Sequence, residues 1–332
     1  YGDCMTETPR IINDPVYGST EITEPVLIEL IDSPVLQRLG GISQLGLPQE
    51  YHHLTTFSRL SHSVGVMILL KRAGSSTEEQ AAGLLHDASH SAFSHVRDWV
   101  EGTQRHDNFQ DMAHENFLMN TEVPEILSRH GFDVKRILDY HNFPLLEQPI
   151  PRLCADRLDY ALRQMRVSDR IKGINPEAVP FCVQSLTTHN GRIVFNNLEA
   201  ASLFGRGFLG LYQGDWGSRE SIGRFMIFAN ILQDAGSEGI IEPADLFQDD
   251  AFVIKKLKVN YDFNRRLENL KRPFGQIPDL SKIKGMCVPH KFRYVDPEFL
   301  ENGILIKLTE IDRDYLDYIN DGLMIAQQGI TI

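Results

Sequence analysis

Apolar residues recur at intervals of three and four through most of this chain, and short Gly or Pro breaks separate the runs. That spacing lays an apolar stripe along one side of a helix and commits the chain to a mainly α architecture. The clearest run covers 76 to 89. Ser76 and Glu79 have the spacing of a capping box, in which each side chain satisfies an amide of the first turn, and the body AAGLLHDA follows. His86 and Asp87 therefore fall near a helix end. Further helices are expected over 23 to 31, 33 to 44, 59 to 72, 112 to 120, 123 to 129, 133 to 140, 151 to 166 and 197 to 233.

Strand signals are few. β-branched residues flank Asn190-Gly191, a pair suited to a two-residue turn, so a small β-hairpin is expected over 184 to 195. From about 273 the chain is turn-rich, and KFRYVDPEFL and GILIKL alternate like strands, which predicts a small mixed α/β C-terminal region. The expected organisation is a segment 1–31 packing on the core, a helical catalytic domain 32–270 and a C-terminal region 271–332.

With 33 basic against 45 acidic residues the formal charge is −12, which disfavours general binding to nucleic acid or anionic membrane. An anionic substrate must then be met by local positive charge. No apolar run reaches the length of a membrane span and no signal sequence is evident, so a soluble, intracellular protein, cytoplasmic or nuclear, is expected. Cys4, Cys154, Cys182 and Cys287 form no C-x-x-C pair, which suggests neither a disulfide framework nor a zinc knuckle. Residues 1 to 4, ahead of Met5, are given no functional weight.

Seven of the twelve histidines lie between His62 and His130, concentrated in R59-x-x-H62, H86-D87-x-x-H90-x-x-x-x-H95 and H114-E115. Imidazole nitrogens and carboxylate oxygens suit a divalent ion such as Mn, Fe, Mg, Co, Ni or Zn, among which His and Asp ligands do not choose. His86 and His90, four apart, can face one cavity. Adjacent His86 and Asp87 cannot share a helical stripe, so joint ligation requires the helix to end there. A further carboxylate is available at Asp156, on the expected helix that also carries Asp159 and Tyr160.

These residues resemble the HD phosphohydrolases, whose hallmark is a histidine, an HD pair and a distant aspartate. More narrowly, IINDPVYG at 11 to 18, DSPVLQRLGGISQLG at 32 to 46, RLSHSVGV at 59 to 66, LLHDASHSAFSH at 84 to 95 and the Asp156 block resemble, in order, the deoxynucleoside triphosphate triphosphohydrolases. The resemblance implies an HD-domain helical bundle holding one divalent metal ion on His62, His86, Asp87 and Asp156. It assigns His90, His95, Asp98 and His114 to phosphate contact, proton transfer and orientation. It makes Gln44 and Leu45 sugar contacts, Arg59, Arg157 and Arg206 phosphate contacts, and Tyr160 a platform for a nucleotide-like substrate. The implied reaction releases triphosphate from a (deoxy)nucleoside triphosphate; the alternative is an HD phosphatase or phosphodiesterase for another nucleotide or phosphorylated metabolite.

Two departures matter. Gln164 stands where the family places an aspartate for the sugar 3′-hydroxyl. Gly40 stands where an arginine helps a family member to read an activator guanine, and glycine has no side-chain donor, so no GTP activation of that kind is expected. His52, His53, His130, His141, His189 and His290 are read as surface or satisfied core residues. Asp159 is read equally as a site residue or as a solvated or ion-paired helix residue. The aromatic stripe Phe204, Phe208, Tyr212, with Trp216, is read as core or subunit interface, and with the resemblance suggests a homo-oligomer. Gln248 to Asp250 reads as a loop or cap.

Overall fold

Helix Arg59–Arg72 has buried positions at His62, Ser63, Gly65 and every residue from Val66 to Leu70, so they surround its axis. A helix buried all round has to be covered on all sides. Helices Thr77–Leu85 and Ala155–Val167 pack against it, with Pro25–Asp32 on the outer face of Thr77–Leu85. Ser58 caps its first turn by accepting from the Ser61 amide at 3.2 Å. The structure, a computed structural model, describes residues 9–52, 54–103, 109–168, 175–289 and 291–332. Residues 1 to 4, His53 and His290 lie outside them.

The expected mainly α fold is found, with corrections at its edges. The capping box at 76 is half made: Ser76 accepts from the Glu79 amide at 3.2 Å, but the Glu79 carboxylate turns inward to accept from the Leu145 amide at 2.8 Å. The run 33 to 44 is the short helix Pro34–Arg38 with a 3-10 turn at Leu39–Gly41. The run 197 to 233 is two helices, Leu198–Leu211 and Arg219–Ser237, joined by a π turn at Tyr212–Trp216. Helices Asp250–Val259, Tyr261–Leu270 and Arg313–Gln328 were not read from the sequence.

The hairpin at Asn190-Gly191 pairs Leu186–His189 with Arg192–Phe195, and both turn residues have positive φ, as such a turn requires. It does not stand alone. Glu298–Glu301 joins it in parallel at Phe195 opposite Phe299, and Ile304–Lys307 completes a four-stranded sheet. A second hairpin, Arg10–Asp14 with Gly18–Ile22, was missed in the segment 1–31. Its turn is pinned by Asp14, whose Oδ1 accepts from the Val16 and Tyr17 amides at 2.8 and 3.0 Å.

Phe204, Phe208 and Tyr212 are buried within the chain itself, so the stripe is core. A separate apolar cluster forms where Arg219–Ser237 meets helices Asp250–Val259 and Tyr261–Leu270, with Phe93 packed into it. Asp249 caps Asp250–Val259, and the buried Asp250 carboxylate accepts from the Phe93 and Ser43 amides at 2.7 and 2.9 Å. Through Asp250 that cluster grips the loop following the HD pair, where Phe93 and Ser94 hold positive φ. No helix among the described residues is long and apolar enough to cross a membrane.

Candidate metal centre and adjoining chamber

Helix Thr77–Leu85 stops at His86, and the chain from there turns rather than continuing, so His86 and Asp87 point to the same place. His62, His86 and Asp87, all buried, each offer one ligand atom, and these lie within 4.8 Å of one another. Asp156 Oδ1 completes the group, 3.0 Å from His62 Nε2 and 3.4 Å from His86 Nε2. The backbone carbonyl of Gly83 accepts from His86 Nδ1 at 2.7 Å, which leaves Nε2 as the ligand atom. That Nε2 is buried and makes no hydrogen bond among the described residues. An orphaned imidazole nitrogen facing two carboxylates is what a cation site presents, so the residues fit a divalent ion.

A buried relay orients His62. Its Nδ1 donates to Asp159 at 2.8 Å; Asp159 accepts from Arg163 at 2.9 and 3.2 Å; and Arg163 reaches Asp14 of the first hairpin at 3.0 Å. A carboxylate behind an imidazole fixes its tautomer and presents Nε2 as a ligand. Asp159 and Arg163 are almost fully buried, so the solvated reading of Asp159 is corrected. Gly65, one turn past His62, permits this approach: a Cβ there would stand 2.0 Å from Arg163 and 2.1 Å from Asp159.

Electrostatics follow from these contacts. Burial opposes charge on His62 and His86, but in His62 the hydrogen bonds it donates to Asp156 and Asp159, and in His86 the carboxylates of Asp87 and Asp156, outweigh it and raise both, His86 to about 9. Burial works against the Asp87 carboxylate too, yet Arg59 at 2.5 Å, then His86 and His90, hold it well below the usual range. His90 is pushed down to about 3 by burial and then by Arg59, and His114 to about 4 by burial and then by His86. Both are neutral at pH 7.

His86, Asp87 and Asp156 lie in the wall of a cavity of about 300 Å³, with His62 buried behind them, and the wall also exposes Gln44, Arg59, His90, His95, Arg157 and Tyr160. Arg59 is steadied by Asp87 and by Ser94 at 2.9 Å, and Arg157 by Glu147 at 3.2 Å. His95 lies 3.4 Å from Asp98, whose other oxygen accepts from Thr103 at 2.8 Å. His114 does not line the cavity; it bonds Ser89 at 3.0 Å and meets Tyr140 edge on. Arg206 is corrected: it is half exposed, pairs with Asp312 and lines neither cavity near the metal group.

A smaller chamber of about 130 Å³ adjoins, sharing Gln44, His95, Tyr160, Lys291 and Arg293 with the first cavity. Leu45, Phe57, Trp99, Gln164, Asp215, Trp216, Ile222 and Phe225 complete its wall. Sequence reading missed Lys291, Arg293, Trp99 and Phe225 and assigned Trp216 to core or interface; His141, read as bland, lies in the wall of the larger cavity. The signal available for Lys291 and Arg293 was two cations with i, i+2 spacing in an otherwise acidic chain. His52 meets Ser221 through Nε2 at 3.3 Å, while His130 is satisfied by Glu29 at 2.8 Å and His189 by Asn190 at 3.0 Å.

Burial, eased by a hydrogen bond from Ser221, raises Asp215 to about 7. An acid raised in the fold contributes stability that is complete below its unfolded pKa near 4 and is lost as pH rises through 7. Asn does not titrate. The stability of Asp215→Asn relative to the parent should therefore increase by about 3 kcal/mol between pH 5 and pH 8. Urea midpoints at the two pH values measure this, and a constant difference would contradict it.

A helical fold that brings two imidazoles and two carboxylates together beside a cavity presents a divalent-metal site. Comparison with known proteins agrees. The HD domain model matches residues 59–164. The chain is 32% identical over 311 residues to the metal-dependent phosphohydrolase cns2 of Cordyceps militaris, covering 90% of this chain and 87% of that protein. It is 36% identical over 324 residues to YdhJ of Bacillus subtilis, covering 97% and 98%. A shorter match, 35% over 111 residues, links 29% of this chain to 19% of the deoxynucleoside triphosphate triphosphohydrolase SAMHD1 of Bos taurus. A solved structure from Aquifex aeolicus, 20% identical, shares the fold over 93% of both chains with a TM-score of 0.66. The chain belongs to the HD-domain metal-dependent phosphohydrolases.

Proposed function

We propose that the protein hydrolyses a (deoxy)nucleoside triphosphate to nucleoside and triphosphate, with His62, His86, Asp87 and Asp156 holding one divalent ion. The observation that carries this reading is the pairing of two cavities: a polar one walled by His86, Asp87, Asp156 and cations, and an aromatic one beside it. A divalent ion bound there would polarise a phosphate oxygen and acidify adjacent water.

The chain's own residues divide the remaining work. Arg59 and Arg157 are held rigidly by carboxylates, so their guanidinium groups are preorganised to meet phosphate charge, and Lys291 and Arg293 add to it. His95 stands where the cavities meet and has Asp98 behind it, the position from which a proton reaches the oxygen leaving with the nucleoside. His90, neutral and 3.3 Å from Asp87, orients and contacts phosphate; His114 supports the loop of the HD pair through Ser89. Gln44, Leu45 and Tyr160 face the sugar. The partial match to SAMHD1 supports the same substrate class.

Purified protein supplied with Mn²⁺, Mg²⁺ or Co²⁺ should release triphosphate from at least one of the four dNTPs. Release from none would end this reading. The second reading, a phosphatase or phosphodiesterase for another nucleotide or phosphorylated metabolite, is favoured by Gln164, an uncharged side chain where the resemblance implies an aspartate: its NH₂ is committed to the Thr55 carbonyl at 3.1 Å and Ser168 at 2.9 Å, which leaves only Oε1 for a substrate. Phosphate release from monophosphates and cyclic nucleotides, with triphosphates inert, would identify it.

A further inference from the structure

Both tryptophans of the chain, Trp99 and Trp216, line the chamber beside the metal cavity. Phe57, Tyr160 and Phe225 share its wall, and Tyr160 meets Trp216 edge to face at 5.3 Å. A slot built this way takes a flat ring. Residues common to both cavities, such as Gln44 and His95, mark the end nearest the phosphates. Trp216, Gln164 and Asp215 line the chamber and not the metal cavity.

Two of these lining residues carry nearly fully buried acceptors. Asp215 Oδ1 accepts from Ser221 at 2.9 Å, while Oδ2 makes no hydrogen bond among the described residues. Gln164 spends its amide hydrogens on Thr55 and Ser168, and its Oε1 likewise makes none. Asp215 and Trp216 sit on the π turn that interrupts the long helical run, a distortion that redirects side chains and often marks a functional site. A buried oxygen without a donor is costly, and a ligand that brings an N–H group removes the cost.

We propose that Asp215 selects the leaving group, its open Oδ2 accepting an N–H donor from the edge of a neutral, flat heterocycle lodged in the tryptophan-lined chamber. This rests on the reading above only in placing the ring of the leaving group there. The class selected is an amino-substituted heterocycle, preferred over the same ring without its amine. In Asp215→Asn the amide oxygen takes the Ser221 hydrogen bond and an NH₂ replaces Oδ2, so the preference for a donor is lost.

Tryptophan fluorescence reads occupancy of this chamber without turnover. Titrations at pH 8, where the Asp215 carboxyl is ionised, should compare deoxyadenosine with purine deoxyriboside, and deoxycytidine with the 2-pyrimidinone deoxyriboside, in metal-free parent protein and in Asp215→Asn. In at least one pair the amino nucleoside should bind the parent about tenfold more tightly, the effect of one hydrogen bond, and the variant should lose that ratio. No fluorescence response to any nucleoside, equal binding within each pair, or an unchanged ratio in a variant whose circular dichroism melt shows it folded would each overturn the proposal. Triphosphate release from dNTPs without amine discrimination overturns it and leaves the substrate reading intact. Amine discrimination without triphosphate release retains the selective chamber and removes that substrate.

Discussion

Replacing His86 and Asp87 together by alanine is expected to lower phosphohydrolase activity at least about a thousandfold and to strip bound divalent metal from the protein. The reason is geometric. The helix ends at His86, so the two side chains reach one point, with Gly83 orienting the imidazole and Arg59 holding the carboxylate. Removing both deletes two of the four proposed ligands, and Asp156 and His62 alone do not make a competent site. Elemental analysis and a turnover assay on the same sample measure both effects. Hydrolysis at parental rate in the double variant would move the reactive centre elsewhere.

The largest effect on stability is expected at Arg163. It lies between Asp159 and Asp14, and all three are buried. Arg163→Ala would strand two carboxylates away from water, a loss of about 3 to 5 kcal/mol. The pH dependence has a definite sign. Burial works to raise Asp159, but Arg163 and then His62 hold it below its ordinary value. The stability this contributes is present above the unfolded pKa near 4 and is lost as pH falls through the lower folded value. The gap between parent and Arg163→Ala should thus be widest at neutral pH and narrow below pH 4. Urea denaturation across that range measures it, and a neutral-pH difference under about 1 kcal/mol would contradict the role assigned to the network.

Arg59–Arg72 was readable to the residue, because an N-capping serine opens it and a basic pair closes it. The two-residue hairpin at Asn190-Gly191 was readable from its turn chemistry. The first hairpin was not: its strands are five residues long and mostly solvent-facing, and its turn is tied down by Arg163 from a helix about 150 residues away. The π turn at Tyr212–Trp216 was hidden inside a continuous helical pattern, since periodicity does not register one extra residue in a turn. Arg206 was misplaced for a related reason. It sits on the helix that carries Phe208 to the cavity, but its side chain leaves on the opposite side toward Asp312.

What the sequence by itself determined is the inventory and order of the chemistry: a mainly helical chain, the imidazoles and carboxylates of a metal site at recognisable spacings, and a helix that must stop at His86. These are local properties, set by side-chain type and by periods of a few residues. Tertiary structure alone decided that Asp156 meets His62 and His86, that Asp159, Arg163 and Asp14 stand in line behind His62, and that Trp99, Trp216, Gln164 and Asp215 enclose a chamber beside the metal cavity. Those contacts join residues far apart in the chain, and they depend on packing, burial and backbone distortion that no local pattern encodes.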